Sequence, residues 1–74
     1  MINSQLKEIF IDILHLTKFS ENINRTNIPS WDSLNHIKLI ITLQNKFNIK
    51  FSIEEIASMQ SYSEIKRKIK NENN

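Results

Sequence analysis

Between Leu34 and Phe47, apolar residues recur at helical spacing and then overfill the helix. With Ser33 as origin, Leu34, Ile37 and Ile41 fall at roughly 100°, 40° and 80°. Leu39, Ile40, Leu43 and Phe47 fall at roughly 240°, 340°, 280° and 320°. Together the two groups cover more of the circumference than a helix resting on a core requires. One group can be core; the other has to meet more protein, or a partner. The first group lies on the same side as Ser33.

The chain around this helix is short. Seventy-four residues make one small domain, near the lower limit for a self-sufficient core. Without cysteine there is no disulfide staple and no Cys-rich metal site. Fourteen isoleucines, and leucines with them, must hold closely packed helices together. At the N-terminus, Ile2, Leu6, Ile9, Phe10 and Ile13 form a helical stripe, predicting a helix from a cap near Asn3 or Ser4 to about Leu16. Ile11 falls opposite that stripe. From Thr17 to Asp32 the period disappears among Ser20, Asn22, Asn24, Asn27, Pro29 and Ser30, all turn formers. Phe19, Ile23 and Ile28 are the expected anchors of this long loop, and Pro29 biases Ile28 to extended geometry.

After Phe47, Asn48 is the natural left-handed residue to end the helix. Ile49 and Phe51 alternate like a strand, but one so short has nothing to pair with. Ser52-Ile53-Glu54-Glu55 and Ser61-Tyr62-Ser63-Glu64 are capping boxes. They predict a short helix through about Ser58, then a last one with Tyr62, Ile65 and Ile69 at helical spacing. The expected fold is all-α, a four-helix bundle with a short third helix and a long loop between helices one and two. Its domain covers residues 1–70, with 71–74 as a flexible tail.

Net charge is +2, concentrated near the C-terminus in Lys66, Arg67, Lys68 and Lys70. Cations there match the helix dipole. A nucleic-acid surface would want interleaved aromatics or a groove-reading motif, and neither is visible. No run approaches the length of a membrane span. Met1-Ile2-Asn3-Ser4-Gln5 has no basic stretch leading into an apolar block. The expectation is a soluble, cytoplasmic protein that binds neither membrane nor nucleic acid.

Catalysis is poorly served. His15 and His36 are the only histidines. His36 stands one turn beyond Ser33, without an evident third group to orient its ring, and is expected to be a surface residue. Asp32 and His36 could share an ion, but no third ligand is in sight. Ser33 is more interesting. A hydroxyl at a helix mouth, with Asp32 beside it, suits either a plain N-cap or a point of attachment for a phosphate ester. Local physics alone favours the cap.

The wider pattern favours the other reading. Asp32-Ser33-Leu34, then Ile37, Leu39-Ile40, Leu43, Phe47, Ile49 and Phe51, resembles the acyl carrier protein family, in which Asp-Ser-Leu opens the second helix. The likeness continues through Glu54-Glu55 and the capped fourth helix, and so spans essentially the whole chain. The form Trp31-Asp32-Ser33-Leu34-Asn35-His36-Ile37 looks like discrete bacterial carriers of surface-sugar or secondary-metabolite pathways. The resemblance implies that Ser33 carries 4′-phosphopantetheine, transferred from coenzyme A by a Mg²⁺-dependent phosphopantetheinyl transferase. It further implies that the arm's thiol holds acyl groups as thioesters, and that the chain is not itself an enzyme. Asp32, Leu34, Ile37, Lys38 and Ile41 would meet the transferase and the acyl-loading and acyl-using enzymes, while Leu39, Leu43 and Phe47 would be core. A monomer is expected, because a stable dimer would hide the Ser33 face.

Two departures from the family matter. Its fatty-acid members are acidic along helix two, whereas here Lys38, Gln44, Asn45 and Lys46 leave Asp32 as the only acid. A glycine common before Asp-Ser-Leu is Trp31 here. Both point to a dedicated pathway rather than bulk fatty-acid synthesis, since electrostatic steering to basic partners would be weak. The competing readings are a carrier-like protein-binding bundle with Ser33 as a cap, and a small basic nucleic-acid-binding domain.

Overall fold

Four helices form close to where spacing predicts them. The computed structural model describes the backbone of residues 2–72 and the side chains of residues 3–71. Helix α1 spans Ile2–Leu14, α2 Ser33–Phe47, α3 Ile53–Ser58 and α4 Tyr62–Glu72. No strand occurs among the described residues. A single antiparallel bridge joins Asn24 to Ser61.

A chain without glycine must close its helices by other means. Left-handed backbone falls to His15 (φ 54°) and Asn48 (φ 55°), from residue types that tolerate this region better than most. In each case the next amide reaches back to the last turn: Leu16 N–H to the Ile11 carbonyl (3.1 Å), Ile49 N–H to the Gln44 carbonyl (3.1 Å). These bonds satisfy carbonyls that would otherwise be orphaned at the helix end. Asn48 is where it was expected; His15 is not. The helix predicted from Asn3 or Ser4 to Leu16 instead starts at Ile2 and stops at Leu14, because the chain turns at His15. Ile11, which falls off the apolar stripe, supplies the carbonyl of that turn.

Burial follows the helical stripes. Leu6, Phe10 and Leu14 of α1 meet Leu39, Ile40 and Leu43 of α2 and Tyr62, Ile65 and Ile69 of α4 in one core. Each such side chain contributes about 1.5–3 kcal/mol on leaving water. Phe10 is the aromatic centre, edge-on to Trp31 (centroids 5.4 Å) and to Tyr62 (4.9 Å). Phe47 is partly buried against the same core. Helix α3 buries no residue fully and touches the core through Ile56. Its order comes from its ends: Ser52 Oγ accepts from Glu55 N–H (3.0 Å), and the Glu55 carboxylate accepts from Ser52 N–H (2.9 Å).

The long loop is held by hydrogen bonds rather than by periodic structure. Ile23 and Trp31 are buried, with Phe19 and Ile28 packed against the core beside them. Arg25 N–H donates to the Gln60 carbonyl (2.9 Å), and Tyr62 N–H to that of Ile23 (3.1 Å). Ser30 Oγ donates to the Leu14 carbonyl at the end of α1 (2.6 Å). Sequence spacing missed this pairing of the loop with the α3–α4 connection, because it is backbone to backbone. Ile49 and Phe51 form no strand; Phe51 N–H bonds to the Gln44 side chain instead (2.9 Å).

Helix α4 outruns its predicted end. Asn71 and Glu72 are helical rather than part of a tail, while Asn73 and Asn74 lie outside the described residues, as does the side chain of Ile2. Among the described residues no helix is long and apolar enough to cross a membrane.

Candidate functional site

Asp32, not Ser33, caps α2. Asp32 is extended (φ −95°, ψ −175°), and its carboxylate accepts from Asn35 N–H (2.9 Å), while its carbonyl accepts from His36 N–H (2.8 Å). Expecting Ser33 as a plain cap is thus wrong by one residue. Ser33 is the first residue of the helix, exposed, and its hydroxyl makes no hydrogen bond among the described residues. A cap hydroxyl is committed to a backbone amide; this one is not.

His36 is the second correction. It is only 4% exposed, although its place one turn from Ser33 suggested the surface. The Trp31 indole donates to Nδ1 (2.9 Å), and Nε2 lies 2.9 Å from the Ile56 carbonyl. An indole N–H only donates and a carbonyl only accepts. His36 is therefore neutral in this arrangement, with its proton on Nε2. Both ring nitrogens are engaged, so the side chain is not poised as a base toward Ser33. It instead ties the loop and α2 to the C-terminal turn of α3, whose carbonyls lack helical partners. Trp31, buried beside it, is the other half of that tie.

The tie shapes a cleft. An open depression of about 330 Å³ lies between α2 and α3, walled by Ile37, Ile53, Ile56, Ala57 and His36, with Ser33 and Arg25 at its polar side. Leu34 (66% exposed), Ile37 (48%) and Ile41 (51%) leave the apolar group beside Ser33 open to solvent, as the over-wide arc anticipated. Asp32 and Lys38 are exposed next to them. Sequence reasoning missed Ile53, the most exposed of the large apolar side chains at 83%. A signal was available: the residue after a capping serine starts a helix, and Ile53 has Ile56 one turn on.

The basic cluster is partly neutralised. Lys66 pairs with Glu21 and Lys68 with Glu55, each at 3.3 Å. The bond from Ser52 N–H, followed by Lys68, holds the Glu55 carboxyl below its ordinary value. Burial, with Glu21 nearby, pushes the Tyr62 hydroxyl up. Among the described residues no three His, Asp or Glu side chains gather where they could hold a metal ion. The chain matches no protein-family model and no curated protein.

Proposed function

We propose that this chain is an acyl carrier protein, loaded at Ser33 and serving a dedicated biosynthetic pathway. The observation that carries the reading is the unengaged Ser33 hydroxyl on the first turn of α2, its capping role taken by Asp32. The surroundings fit a 4′-phosphopantetheine arm. The hydroxyl is exposed, it stands at a helix N-terminus that favours phosphate, and it borders an apolar cleft. In loading, Ser33 Oγ forms a bond to the phosphorus bearing pantetheine. The pyrophosphate P–O bond of coenzyme A breaks, adenosine 3′,5′-bisphosphate leaves, and the hydroxyl proton passes to the Mg²⁺-dependent transferase. The thiol of the arm supplies what a cysteine-free chain lacks, a group that holds acyl units as thioesters.

Leu34, Ile37 and Ile41 offer the transferase and the acyl-handling enzymes a grip beside the loaded residue, with Asp32 and Lys38 setting its polar edge. Ile53 extends that grip across the cleft. The lysine-bearing α2 favours partners other than the basic enzymes of bulk fatty-acid synthesis. A monomer working in the cytoplasm fits this role, since the docking face must be free.

The test is intact mass after incubation with coenzyme A, Mg²⁺ and a phosphopantetheinyl transferase. One phosphopantetheine adduct is expected, and none on Ser33→Ala. No adduct with a transferase that loads other carriers overturns the proposal.

A further inference from the structure

Arg25 is a half-buried cation without an acidic partner. Its Nε donates to the Trp31 carbonyl (3.4 Å) and Nη1 to the Gln60 side chain (3.3 Å), both neutral acceptors at long distances. No carboxylate of the described residues pairs with it. A guanidinium has five N–H donors, so three remain for something else. Charges withdrawn from water are ordinarily matched by an opposite charge. Here the cleft that Arg25 helps to line contains no acid.

That cleft does contain the Ser33 hydroxyl. The loop position of Arg25 is not accidental to this arrangement. Its own N–H is pinned to the Gln60 carbonyl (2.9 Å), and its side chain is steered by the residue just before the Asp32 cap. The apo protein therefore presents, at one site, a neutral nucleophilic oxygen and an unmatched planar cation. Loading would add one permanent negative charge at that oxygen. Guanidinium geometry suits phosphate oxygens, and the dimethyl-bearing carbon one methylene beyond the phosphate ester of the arm suits the Ile37 and Ile56 walls.

We propose that Arg25 is the counter-ion of the phosphodiester created at Ser33, holding the root of the arm at the mouth of the α2–α3 cleft. The assignment rests on the carrier reading but concerns a different residue, so the two can fail separately.

The test is the Arg25 Nε–Hε signal in ¹H–¹⁵N spectra of the apo protein and of the same protein loaded with unacylated phosphopantetheine. The signal is expected to shift and to exchange more slowly with water after loading. Thermal melts supply a second readout: loading should raise Tm by about 4 °C, as one partly exposed ion pair does in a domain this size. That gain should vanish in Arg25→Gln and partly survive in Arg25→Lys. An adduct that forms while the Arg25 signal stays put and Arg25→Gln keeps the full gain overturns this assignment alone. A signal that moves only when an acid-bearing acyl group is attached overturns it too, since Arg25 would then serve the cargo. Failure to form any adduct removes the carrier reading, and this inference with it.

Discussion

The Trp31 indole donates to Nδ1 of His36 across 2.9 Å, which leaves Nε2 to carry the proton toward the Ile56 carbonyl. The loop, α2 and α3 are thereby joined through one side chain. Helix α3 has only six residues and buries none of them fully, so it depends on such ties for its position.

His36→Ala removes both bonds and leaves the Trp31 N–H buried without a partner, which costs about 3 kcal/mol. Urea titration of the variant checks the loss. In the wild type, long-range ¹H–¹⁵N spectra should show the Nε2–H tautomer; an Nδ1–H tautomer would contradict the bonding described.

Asp32 and Ser33 should separate cleanly by stability. Asp32→Ala deletes the α2 cap and costs about 1 kcal/mol. Ser33→Ala removes a hydroxyl without a bond and should fall within about 0.5 kcal/mol of wild type. Paired denaturation curves decide it, and equal losses would mean that Ser33 shares the capping.

The two apolar groups of α2 should respond in opposite ways. Leu43→Ala opens a cavity in the core and costs about 3 kcal/mol, whereas Ile37→Ala and Ile41→Ala leave the melting curve nearly unchanged. Those surface variants, with Leu34→Ala and Ile53→Ala, should instead slow loading by about tenfold, equivalent to about 1.4 kcal/mol of lost contact. Initial rates of adduct formation measure this. Unchanged rates in all four would remove the face from partner recognition.

Acid should loosen α3 through Glu55. Its carboxyl is held below the ordinary 4.5, first by the bond from Ser52 N–H and then by Lys68. A folded value below the unfolded one stabilises above the unfolded value and ceases to do so as pH falls through the folded value. Stability should therefore decline below pH 4.5, and the part due to this group should be absent in Glu55→Gln. Denaturant midpoints from neutral pH down to about pH 3 make the comparison. A decline of the same size in both proteins would show that other carboxylates cause it.

Much of this was legible in the residues. The α2 stripe, the Asn48 turn and the Ser52 box are local patterns, and each appears where its spacing places it. The exposed group Leu34, Ile37 and Ile41 was legible for a geometric reason: a helix cannot bury more than the arc its neighbours cover. His36 was misread because spacing along α2 says nothing of what approaches from α3. Ile53 was passed over because its one signal, Ile56 a turn further on, is a single pair and not a stripe in a six-residue helix.

By itself the sequence determined the helices, the Asn48 and Ser52 caps and the apolar residues in excess of one core, since these depend on neighbours within a turn or two. Tertiary structure alone decided that His36 turns inward between Trp31 and Ile56, and that Arg25 stands unmatched beside the cleft. Those outcomes depend on which donor meets which acceptor across segments far apart in the chain, and no local period encodes such meetings.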